Sequence, residues 1–169
     1  VGQHVPNQFE IEIEEGYVLF KRTPLLGKDF PGFQLRVGRF RTHFGRLNQV
    51  HLHDLPQPTV PLASFNFLGA HGMIRNGLSW QMTIPTPGEG NALSATVQVT
   101  EGGGHEFMKD LSPGFRPTFW GHLGWFFDFG HGHDFEVGGS AMVGKQESSW
   151  AQLYGADVSY RFKPFSGGE

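Results

Sequence analysis

The chain has 169 residues, of which 25 are glycine, 14% aromatic and 17% charged; it has no cysteine and a formal net charge of −3. That length suits a single domain with a real core. The absence of cysteine removes disulfide and thiolate chemistry, the negative balance argues against nucleic acid as a partner, and no apolar run is long enough for a transmembrane helix.

Seven runs alternate with the period of two that marks β-strands. In chain order they are expected over 9–20, 33–42, 77–84, 91–99, 119–129, 134–144 and 150–162. The first two form a loose pair around a Pro/Gly-rich loop, with Glu15 as the exception on an otherwise apolar face. In the third, Leu78, Trp80, Met82 and Ile84 oppose Ser79, Gln81 and Thr83. The fourth follows the turn sequence Pro85-Thr-Pro-Gly-Glu-Gly90 and sets Leu93, Ala95, Val97 and Val99 against Ser94, Thr96 and Gln98. The fifth places Phe119, Leu123, Trp125, Phe127 and Phe129 opposite Trp120, His122, Gly124 and Asp128. The sixth and seventh continue the pattern, ending with Trp150, Tyr154, Ala156, Val158, Tyr160 and Phe162 on one face.

These strands are long for a soluble domain and suit a tilted bilayer crossing. Alternation also keeps mean hydropathy low in a membrane barrel, although a secreted β-sandwich shares the composition. The second and fourth links are long and leave from the same side, as external loops of outer-membrane barrels do. The aromatics sit in one phase and bracket small aliphatic residues, the pattern of interfacial girdles; a sugar-stacking platform is the rival reading. Both chain ends look like cuts from a longer protein.

The stretch FQLRVGRFRTHFGRLNQVHLHDLPQPTVPLASFNFLGAHG, beginning at Phe33, resembles the porin superfamily, especially the phosphate-selective porin group and an uncharacterised branch of porin-like outer-membrane proteins. The Gly38–Gly72 portion carries the specific likeness, and the closing GADVSYRFKP is similar to a barrel strand. The resemblance implies a barrel larger than this chain can build and traffic of small solutes across an outer membrane. A terminal aromatic residue is missing and seven is an odd strand number, both of which suit a fragment.

Candidate site residues fall into two groups. Glu12 and Glu14 face Arg39 and Arg41 if the first hairpin is centred near residue 26, giving Glu14–Arg39 and Glu12–Arg41 pairs that either tune a charged lumen or neutralise each other. Arg36 lacks a carboxylate in that register and is the expected lumen cation. His51 and His53, two apart in an extended segment, could converge on zinc with Asp54 or His71; the plainer reading is that they brace a Pro-rich loop. His131 and His133 are expected to be solvent-facing turn residues. Enzyme signatures such as G-x-S-x-G, a P-loop or H-E-x-x-H are absent.

The expectation is therefore an all-β, antiparallel transmembrane β-barrel, here a partial barrel of about seven strands forming one region over 1–169. The loop over 43–76, about 34 residues and rich in apolar side chains, is expected to be ordered and packed against the barrel interior or a neighbouring subunit. The function expected is a non-enzymatic outer-membrane channel of a Gram-negative-type bacterium, passing or binding small solutes or ions. Its partners are the lipid bilayer and those solutes, with a homo-oligomer compatible and no cofactor required. A zinc-linked uptake protein and a soluble carbohydrate-binding β-sandwich are the alternatives. Leu123, Val137, Ala141, Ala156 and Val158 should face lipid and reject arginine, which Ser140 and Ser159 should tolerate.

Overall fold

A computed structural model describes residues 14–21, 32–50, 59, 61–69, 72–102, 117–145 and 149–163. Seven strands, β1 (Gly16–Phe20), β2 (Gln34–Arg41), β3 (Ile74–Pro85), β4 (Ala92–Thr100), β5 (Thr118–Asp128), β6 (His133–Lys145) and β7 (Trp150–Phe162), form one sheet. Each pairs antiparallel with its neighbours in chain order, so the sheet is a meander with β1 and β7 at its edges, and it is not closed. The tight link from β5 to β6 holds three successive positive φ values, at Gly130, His131 and Gly132. Two glycines there remove the steric cost of that turn, and His133 N–H donates to Gly130 C=O at 3.1 Å.

Register sorts every strand into two phases, because directly opposed residues share a face. One row runs Ser79, Gln98, Trp120, Met142, Leu153; the next runs Gln81, Thr96, His122, Ser140, Gly155. This phase is mostly polar or glycine, with Trp120, Met142 and Leu153 as an apolar island. The other phase carries Val97, Leu123, Trp125, Val137, Val158 and Tyr160. The polar phase is the buried one: Thr96 and Gln98 are each 2% exposed and His122 6%, whereas Val97 is 55% exposed, Leu123 54% and Val158 66%.

What buries the polar phase is the connection from β2 to β3. It contains a 3₁₀ turn (Leu47–Gln49) and a short helix, α1 (Leu62–Leu68), which starts after Pro61 and stops at Gly69 with φ 86°. Leu68 and Met73 join Trp120 and Met142 in the apolar cluster, with Phe44 and Leu153 packed against it. The core therefore lies between the connection and the sheet's polar phase. Asn48 fastens the base of the connection: its Nδ2 donates to Thr42 C=O at 2.6 Å and its Oδ1 accepts from Met73 N–H at 2.9 Å. The helix has no counterpart in the sequence expectations; at seven residues it is too short to impose a periodic signal.

Candidate functional site: the polar face under the 42–50 segment

The 42–50 segment is laid across β4 to β7 by polar contacts from His43, Gly45 and Arg46. His43 N–H donates to Gln98 Oε1 at 2.7 Å, and its ring shares a hydrogen bond with Thr96 Oγ1 at 3.0 Å. That ring stacks on His122, with centroids 4.1 Å apart. His122 Nδ1 lies 2.8 Å from Ser140 Oγ, which also accepts from Gly45 N–H at 2.8 Å. Arg46 pairs with Glu136 and reaches Ser159 Oγ at 3.0 Å.

Small residues in the polar rows make room for this layer. A β-carbon at Gly155 would lie 3.1 Å from the Phe44 ring, and one at Gly138 would lie 2.8 Å from both His122 Cε1 and Asp157 Oδ2. Glycine at these two sites is thus explained by a close approach. Burial pushes the His43 imidazole down to about 4, with the neighbouring His122 and then Arg36 adding to the effect. The ring is therefore neutral at pH 7 and is held by stacking and one hydroxyl.

The charge ladder at the first hairpin differs from the expected register. β1 pairs Gly16 with Arg39 and Leu19 with Arg36, so the partner of each arginine lies two residues beyond the expected one. Glu14 consequently meets Arg41 at 3.0 Å, not Arg39, and Glu15 also bonds Arg41, its Oε1 accepting from the backbone N–H at 3.2 Å. A slip of two preserves phase, so alternation could not have detected it; Glu12 lies outside the described residues. Glu15, the anomaly on the first strand, precedes β1 and sits at its rim.

The three arginines do not share one wall. Arg36 aligns with Ser79 and Gln98 on the polar phase, whereas Arg39 aligns with Gly16 and Asn76 on the other. Arg41 ends β2, its side chain 7% exposed. Arg36 lies over the Tyr17 ring at 5.3 Å, and its buried Nε has no hydrogen-bond partner among the described residues.

His51, His53, Asp54 and His71 lie outside the described residues, and among the described residues no group of three or more metal-ligating side chains converges. His133 is not simply a solvent-facing turn residue. It opens β6, stacks on Phe162 at 4.5 Å and lies 2.6 Å from the Tyr160 hydroxyl. Ser140 does not match the expected arginine-tolerant position either: it is 7% exposed and both its neighbours are fixed. The polar phase of β5 to β7 could be read from alternation; its partner, the 42–50 segment, could not, since nothing local marks contacts 95 to 113 residues away.

No protein-family profile and no solved structure matches this chain. An uncharacterised protein of Aquifex aeolicus is 37% identical over 75 residues. That stretch is 44% of this chain and 14% of the Aquifex protein, so the chain spans only a small part of that longer relative.

Proposed function

We propose that the sheet is part of the wall of an outer-membrane β-barrel and that the 42–50 segment lies on its lumen side, in a channel that passes or binds small solutes or ions. One observation carries this reading. The apolar phase is bare while the polar phase is covered, the inverse of a water-soluble sheet and the arrangement a lipid-facing wall requires. A soluble sandwich would instead press its apolar phase against a second sheet.

Two further features support it. Strands β6 and β7 are each 13 residues long, enough for a tilted crossing. At the end of β5 to β7 near the β5–β6 turn, Trp125 stacks on Phe127 at 4.9 Å and Phe127 on Phe129 at 6.3 Å, an aromatic band suited to an interface. Because β1 and β7 run the same way, completing an antiparallel barrel needs an odd number of further strands.

Flotation with lipid vesicles tests the proposal. The protein should need detergent for solubility, float with vesicles after detergent removal, and keep its β-sheet signal when protease is added. A monodisperse protein in detergent-free buffer that stays off the vesicles would overturn it.

A further inference from the structure

The apolar phase of the sheet has sharp ends. On β3 it runs Leu78, Trp80, Met82 and Ile84, and counting by twos the next residues are Asn76 on one side and Thr86 on the other. On β4 it runs Leu93, Ala95, Val97 and Val99, between Asn91 and Glu101. Asn76 and Glu101 are exposed and tied together across the strands, Asn76 Nδ2 donating to Glu101 Oε1 at 2.8 Å. At the same end of the sheet, from which the long links leave, β6 closes with the exposed Lys145 opposite Trp150. At the other end Phe127, Phe135 and Tyr160 stand in one row. Between these limits the apolar phase carries no charged side chain among the described residues, whereas the polar phase of the same strands carries Arg36, Glu136 and Asp157.

The distance between the limits is set by residue count. Ten residues separate Asn76 from Thr86, and ten separate Asn91 from Glu101, about 33 Å of strand at about 3.3 Å per residue. At a tilt of roughly 35–45° that projects to about 25 Å along the barrel axis, less than the ~30 Å hydrocarbon core of a typical bilayer. A thicker layer would draw Glu101 and Asn76 into hydrocarbon, where polar groups are costly. Lys145 has a stem long enough to snorkel; Asn76 and Glu101 are shorter and hold each other. A protein partner would match polar groups spaced through its interface, and this band offers it no charge from end to end.

Resting on the barrel-wall reading, we infer that the partner of the apolar phase is a thin bilayer, its hydrocarbon layer about 25 Å deep, held between the Asn76–Glu101–Lys145 rim on the long-link side and the Phe127–Phe135–Tyr160 row on the other.

Three tryptophans on this phase mark depth. Trp80 is near the middle of the β3 run, Trp125 lies opposite Leu93 close to the aromatic row, and Trp150 lies opposite Lys145. Trp120, 2% exposed, faces the other way. Variants that keep Trp120 and one of the three, with Phe at the other two, are reconstituted in fluid phosphatidylcholine vesicles brominated either deep or shallow on the acyl chain. Trp80 should lose more fluorescence to deep bromine than to shallow, Trp125 and Trp150 the reverse, and Trp120 alone should lose none. Equal depth for all three in a protein that floats with the vesicles overturns the thin-layer proposal and leaves the wall reading standing; no quenching by either probe removes both. Wild type supplies a second measurement should the variants not fold. Its folded-to-unfolded ratio in denaturant should drop about tenfold or more from dipalmitoleoyl- to dierucoyl-phosphatidylcholine vesicles, and a ratio that is constant or rises with chain length contradicts the proposal.

Discussion

Acidification should release the 42–50 segment, and His43 sets where. Its imidazole ionises near 6.5 when free and near 4 when packed between His122 and the polar rows. The packed state therefore binds fewer protons than the released state between those values. Docking is at full strength above pH 6.5, weakens as pH falls from 6.5 toward 4, and is flat below about 4. The difference is worth about 3 kcal/mol, at about 1.4 kcal/mol per pH unit, or roughly a hundredfold in the docking equilibrium. Burial fixes the sign, and the neighbouring His122 and then Arg36 add to it, while Glu136 and Asp157 lie on the strands beyond. Amide exchange at Gly45, whose N–H is held by Ser140, reports release directly. Comparing wild type with His43→Gln at each pH cancels the intrinsic chemistry of exchange. The wild-type rate should rise relative to the variant by up to about a hundredfold from pH 6.5 to 4. Parallel profiles across that window would refute the assignment, because glutamine can keep the Thr96 contact but cannot take up a proton.

Leu123→Arg should destabilise the folded protein in lipid by about 2–4 kcal/mol, while Gln81→Arg, at a half-buried position of the polar phase, should cost much less, as measured by denaturant unfolding in vesicles; equal costs would contradict a lipid-facing apolar phase. Asn48→Ala strands the Met73 N–H and the Nδ2 contact to Thr42, and should cost about 1–3 kcal/mol in chemical unfolding, with no change in β-sheet signal before the transition. On the proposed channel reading, Arg36→Glu should move the reversal potential of the reconstituted protein toward cation selectivity, most at low salt where screening is weakest; an unchanged potential would contradict a place for Arg36 on a conducting path.

Much of the sheet was legible because period-two alternation is a local signal: the span of β7 coincides with its sequence expectation and β4 and β5 differ by a single residue at each end. Register was less so. Glu14 fell two residues from its expected partner because loop length, and not phase, decides that slip. The site was half legible. His122 and Ser140 stood out against the apolar phase, but what covers them depends on where a connection with no periodicity of its own comes to rest. Phe44 over Gly155 is a packing fact between residues far apart in the chain, and glycine there reads, in sequence, only as a weak strand former.

The same separation shapes how the molecule assembles. Each strand pairs with its chain neighbour, so the meander can zip up step by step, with long loop closures only from β2 to β3 and from β4 to β5. The Gly45–Ser140 and Arg46–Ser159 contacts bridge 95 and 113 residues and have nothing to dock on until β6 and β7 are in place. They are therefore expected to form in the final stage of folding, after the rate-limiting barrier. Removing the Ser140 hydroxyl should therefore leave the folding rate unchanged and quicken unfolding alone, which makes the 42–50 segment a latch on the lifetime of the folded state and not a part of its nucleus.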